Sequence, residues 1–331
     1  MLIRLFRGIG PGTIILIVVV LLSVWSGAFI KPQNHPSFYF DLHPMPLYGI
    51  ISHLSGTSHL PGVIYTFVLL SCMSFLLVNF NTTLFFIGQR TFIPALIYIL
   101  LSGFFPQYQL LNPAIFGAMF LMFGIKKIIG AFRIQGTAYH FFDAAILIST
   151  GSLFYASLIW FGLLVFIGIA VLRTGNLKEI GISVIGLITP YVLAFGIYYL
   201  LGKDLNELIS QMGYNLFGKQ TDYVFTGLTI AAGIFTGLVT LVSIIYLLMT
   251  MNAKKIQSRK IFSLLLWLFI ISLTIFILSP SGSVEMIWIT GIPVSYFLSH
   301  YFVLARKKLV PEILFSILFI LILLIQILYY K

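Results

Sequence analysis

Stretches of about twenty apolar residues follow one another along nearly the whole chain, and nothing else in the sequence constrains the fold as strongly. A helix needs ~20 predominantly apolar residues to cross a ~30 Å hydrocarbon core, and backbone groups in lipid must be satisfied within their own segment. Of 331 residues, 60% are hydrophobic and 8% charged, a balance that keeps no soluble domain of this size in solution. An outer-membrane barrel would show alternating segments of ~10 residues, whereas these runs are continuous and rich in Leu, Ile and Phe. The sequence therefore predicts an all-α polytopic transmembrane bundle, a single domain over residues 1–331.

The apolar runs place about eleven spans, at 13–30, 61–80, 91–105, 113–130, 142–156, 157–173, 180–201, 223–249, 261–279, 285–304 and 310–330. Short cytoplasmic loops concentrate Lys and Arg. With the N-terminus inside, Arg4, Arg7, Arg90, Lys126, Lys127, Arg133, Arg173, Lys178, Lys254, Lys255, Arg259, Lys260, Arg306, Lys307 and Lys308 are cytoplasmic, and Lys31, Lys203, Lys219 and Lys331 face out. Fifteen against four selects this orientation, and it also requires two short spans between Asp143 and Arg173 rather than one long one. The run Thr13 to Ile30 behind Arg4 and Arg7 reads as an uncleaved signal anchor. A bacterial inner membrane is the location these features predict.

The net charge of +11 would suggest nucleic acid in a soluble protein; topology explains it here, and no nucleic-acid partner is expected. Cys72 is the only cysteine, which excludes an intrachain disulfide and a thiolate metal cage, and inside an apolar run it reads as a small buried hydrophobe. Tyr198, Tyr199, Trp288, Tyr329 and Tyr330 at span ends fit an interfacial aromatic belt. Asp143, beside His140, reads as a helix cap or dipole partner, and Glu285 as an interfacial acid.

The first outer loop, 31–60, holds His35, His43, His53 and His59 with Asp41. Imidazoles and a carboxylate suggest a metal, yet their spacing matches no dedicated motif, and no cofactor is expected. Leu47, Ile50, Ile51 and Leu54 recur at helical spacing behind Pro46, with Tyr48, Ser52 and Ser55 on the other side. This predicts an amphipathic helix over about 46–55, lying in the membrane surface.

The order of these features resembles the GT-C superfamily of polyprenyl-phosphate-dependent glycosyltransferases: an anchor, an outer loop with an acid, then His43-Pro44-Met45-Pro46-Leu47-Tyr48. Gly88-Gln89-Arg90 and Gly151-Ser152-Leu153-Phe154-Tyr155 continue the likeness. A second similarity is to a family of multi-span inner-membrane proteins from Bacteroidota, around Met45-Pro46-Leu47-Tyr48, Arg90-Thr91-Phe92-Ile93-Pro94-Ala95-Leu96, and from Phe142-Asp143 through Phe154-Tyr155. The latter implies a location and brings no established activity. The former implies a GT-C-like arrangement in which Asp41 is the general base or metal-binding acid, His43 its neighbour, and Lys31 and Lys203 hold the lipid phosphate, with a divalent metal as possible cofactor. Asp41, however, stands only six residues before Leu47, and the outer face offers lysines where phosphate favours arginine forks.

The sequence thus leads to a non-catalytic subunit or scaffold of an envelope-biogenesis or protein-export assembly, with membrane lipid and other inner-membrane or periplasmic proteins as partners. The alternative is an active transferase using Asp41 and His43. A transporter comes third, since Pro190 and Pro293 break single spans without a repeat and no span carries a mid-membrane charge.

Overall fold

The computed structural model describes residues 2–8, 10–31, 43–55, 59–132, 138–172, 177–218, 225–280 and 282–331. Among these every regular element is helical. In chain order they are α1 (Leu2–Phe6), α2 (Pro11–Ile30), α3 (Pro46–Ser55), α4 (His59–Leu84), α5 (Ile93–Ser102), α6 (Pro113–Gly130), α7 (Ala138–Ser152), α8 (Leu163–Leu172), α9 (Leu177–Leu200), α10 (Leu205–Phe217), α11 (Gly227–Thr250), α12 (Ile256–Leu278), α13 (Ile287–Leu304) and α14 (Leu309–Tyr330). Eight of them, α2, α4, α6, α9 and α11 to α14, are long and apolar enough to cross a membrane. The protein is a multi-pass membrane protein.

Side-chain contacts sort the bundle into two ends. At one end Arg7 donates to Gln89 at 2.8 Å, the Ile3 amide to Glu312 at 3.2 Å, Lys260 to the Leu172 carbonyl at 3.1 Å and Tyr246 to that of Leu304 at 2.8 Å. At the other, Lys31 donates to the Tyr330 carbonyl at 2.7 Å, Thr66 to that of Leu110 at 2.7 Å, and the Leu47 amide to that of Leu153 at 3.2 Å. Thirteen of the sixteen described Lys and Arg belong to the first, basic end, leaving Lys31, Lys203 and Lys331 at the second.

The stretch 138–172 reverses direction. Gly124 of α6 faces Ala144 and Ile148 of α7, and Gly130 faces His140, so these helices run antiparallel. A 3-10 turn, Ala156–Gly162, then leads into α8, which returns to Ile128 through Gly168 and to Lys260 through Leu172. Next, α9 rises parallel to α7: Gly186 lies on Phe142 and Ala145, Ser149 donates to the Leu187 carbonyl at 2.6 Å, and Ser152 and Tyr191 share a 2.6 Å hydrogen bond. Helices in lipid gain little from hydrophobicity against each other and associate through close packing of small residues and such hydrogen bonds.

Three expectations are corrected by packing. Asp143 caps nothing: α7 already begins at Ala138, and the carboxylate pairs with Lys127 at 2.8 Å. Cys72 is exposed on the flank of α4 rather than buried. Trp288 is no interfacial anchor; it is 4% exposed and packs on Trp25 and Tyr98, with centroids 6.5 and 6.3 Å apart.

Candidate functional site

The end opposite the basic one is built around an interrupted crossing. All ten residues of α5 are buried, yet ten residues of helix rise only about 15 Å, roughly half a hydrocarbon core. Pro106 and Pro113 flank the irregular chain that follows, and its carbonyls find side-chain donors. Gln326 gives Nε2–H to Gly103 at 2.7 Å, and Tyr330 gives its hydroxyl to Pro106 at 3.4 Å. Gln109 in turn donates to the α2 carbonyl of Val24 at 3.2 Å, and the Trp25 indole to Ser102 at 3.1 Å. Irregular backbone is tolerated at membrane depth when protein groups replace water in this way.

Glu285 lies against this segment and is 2% exposed, although its position near the end of a span suggested an interfacial acid. A turn at Ser283 and a short 3-10 helix, Val284–Met286, carry it inward under the 103–112 chain. With Ser102, Tyr108 and Trp288 it lines a cavity of about 10 Å³, room for about one water. Tyr155 and Ser283 hydroxyls meet at 3.1 Å beside it. Burial, and then the Glu285 carboxylate, push the Tyr108 phenol up to about 12, with a Gln107 hydrogen bond pulling the other way. Phe105 separates this cavity from a larger cleft of about 360 Å³, bounded by Gln107, Thr226, Thr229 and Tyr329.

Two amphipathic helices cover another part of the same end. Sequence reasoning found α3 but missed α10, whose signal was present: Asp204 caps it by accepting from the Asn206 amide at 2.9 Å, Glu207 follows at the third helical position, and Leu205, Leu208, Ile209 and Met212 recur at helical spacing. The helices meet at His43. Asn215 Nδ2 donates to the His43 carbonyl at 2.7 Å, and the His43 and Tyr214 rings lie edge to face with centroids 4.3 Å apart. Below them Met45, Tyr48 and Ala156 form a small core with Tyr108, Leu111 and Met212 around it. On α3 Tyr48 is buried and donates to the Leu111 carbonyl at 3.4 Å, Leu47 and Ile51 are half-buried, and Ile50 is 59% exposed.

Of the residues singled out in the sequence, Asp41 lies outside the described residues. His43 is exposed and held by α10. Lys31 is bound to the end of α14, and Lys203 sits 5.3 Å from the Tyr198 ring centroid. The three described candidates are therefore anchored to three different elements. Among the described residues no three His, Cys, Asp or Glu side chains come together as a metal ion would require.

No curated protein and no solved structure matches the chain. A family model does match residues 45–331, from the residue before α3 onward, and its description is Family of unknown function (DUF6427). The chain belongs to that family.

Proposed function

We propose that the protein is a non-catalytic subunit or scaffold of an envelope-biogenesis or export assembly in a bacterial inner membrane, crossing it about eleven times with the N-terminus and the basic end in the cytoplasm. The observation that carries this reading is the α3–α10 platform. It is fastened from within by Asn215 and Tyr48, yet it leaves Ile50, Ile209 and Phe217 at 59%, 55% and 64% exposure. A platform fastened beneath, whose exposed side sets Ile50, Ile209 and Phe217 among His53, Asn206, Glu207 and Ser210, suits docking of another envelope protein at the membrane surface. The clustering of thirteen described cations at one end supports the orientation. A protease site inserted between Lys254 and Lys255, in the connection ahead of α12, stays protected in sealed cells; cleavage from outside inverts the topology.

The test is purification in mild detergent with a photo-crosslinking residue in place of Ile50. A stoichiometric envelope protein crosslinks there and is lost from Phe217→Ser together with Ile209→Ser. A chain that purifies alone, with unchanged behaviour in that double variant, overturns the reading.

A second reading, a transferase using a polyprenyl-phosphate-linked sugar, draws on the 360 Å³ cleft close to Glu285. Its mark would be loss of sugar transfer in Asp41→Ala with a lipid-linked sugar still bound.

A further inference from the structure

The basic end carries a groove that the platform reading does not use. It lies between the last turns of α4 and α6, holds about 160 Å³, and is walled by Leu76, Phe80 and Met122, with Asn79, Thr83 and Lys126 toward the basic end. On α4 the positions 72, 76, 79 and 83 form one helical stripe. Along it the chemistry changes from Cys72 and Leu76 to Asn79 and Thr83 as the basic end is approached. On α6 the same change runs from Met122 to Lys126, one turn on. Cys72 and Phe75 are exposed, so the groove opens sideways onto the surface that lipid covers.

The two neighbouring lysines of α6 differ in what they touch. Lys127 points to α7 and is held by Asp143 at 2.8 Å. Lys126 lines the groove, is exposed, and makes no hydrogen bond or ion pair among the described residues. An uncompensated cation above a hydroxyl and an amide, continuing into an apolar trough, is complementary to one anionic molecule of a particular shape.

We propose that this groove binds one anionic phospholipid, with an acyl chain along Leu76, Phe80 and Met122 and the phosphate at Lys126, flanked by Asn79 and Thr83. The site is independent of the α3–α10 platform, which is at the other end of the bundle, so either can fail alone. A lysine near an anionic lipid surface contributes enough for about a fivefold change in affinity, and that is the effect to look for.

The experiment is native mass spectrometry of the full chain from mild detergent, titrated with phosphatidylglycerol, with phosphatidylcholine, or with inorganic phosphate. Wild type retains one phosphatidylglycerol in preference to phosphatidylcholine. Lys126→Gln weakens that binding about fivefold, whereas Lys127→Gln combined with Asp143→Asn, which removes the neighbouring ion pair without changing net charge, changes it less than about twofold. Leu76→Trp, which fills the trough, lowers retention of the lipid while Lys126 is intact. Equal retention of the two lipids, equal effects of the two lysine variants, or displacement of the lipid by inorganic phosphate alone would each overturn the proposal.

Discussion

Leucine in place of Gly186 is expected to part α7 from α9 and to lower the detergent melting midpoint by several degrees. A Cβ at this position would stand 2.9 Å from the Phe142 carbonyl oxygen and 2.9 Å from the Ala145 Cβ. Neither is the far end of a flexible side chain, so the helices themselves must move. Overpacking of this kind costs about 1–3 kcal/mol, and the cost is compounded here because the Ser149 to Leu187 and Ser152 to Tyr191 hydrogen bonds lie on the same contact. The same helix supplies its own controls. Gly181 and Gly196 have nothing within 4 Å of an added Cβ, and leucine there improves helix propensity by about 0.5–1 kcal/mol. Thermal unfolding of the three variants, followed by size exclusion, should therefore show Gly186→Leu well below wild type and the other two at or above it. Three equal midpoints would mean that α7 and α9 do not pack as described.

The contrast between these glycines shows what the sequence could and could not disclose. Apolar length was enough to show an all-helical chain with many segments able to cross a membrane, eight of them long enough in the structure, because that signal is set by the solvent. Which side of a helix touches protein is another matter. In water an apolar stripe marks the core, but lipid is as apolar as leucine, so the stripe on α3 and the cysteine on α4 could equally face either. The structure turns Tyr48 inward and leaves Ile50 and Cys72 outward.

Glu285 and Trp288 were misplaced for a related reason. Their positions along the chain put them at a span end, and partners distant in sequence take them out of the interface: Trp25 and Tyr98 against Trp288, and Phe105 and Tyr108 of the chain from Gly103 to Asn112 beside Glu285. The glutamines that support this chain, Gln109 and Gln326, act across the bundle on Val24 and Gly103. No local pattern announces such partners. By contrast α10, although missed in the sequence, left a local signal at Asp204 and Glu207, because a cap is a contact between neighbours in sequence.

The second large effect is a gain. His300 has no exposed surface, and neither ring nitrogen has a hydrogen-bond partner among the described residues. Its surroundings are apolar: the Phe262 ring is edge-on at 5.2 Å between centroids, the Tyr246 ring is at 5.7 Å, and the Tyr246 hydroxyl is already committed to the Leu304 carbonyl. A buried polar group without a partner costs about 1–3 kcal/mol, whereas exchanging side chains of similar volume in a core usually costs less than about 1.5 kcal/mol. The first effect outweighs the second, since an imidazole brings two such groups. His300→Leu should therefore raise the melting midpoint, and His300→Ala, which removes the same nitrogens but opens a cavity, should lower it relative to the leucine variant. The Lys254 ammonium, 5.2 Å from the centroid of the same Phe262 ring and itself shifted down by burial, gives an independent check. With the imidazole gone, Lys254→Met should be no more costly than in wild type. If leucine at 300 instead destabilises the purified chain, the fit of the imidazole against the Phe262 and Tyr246 rings outweighs its missing hydrogen bonds.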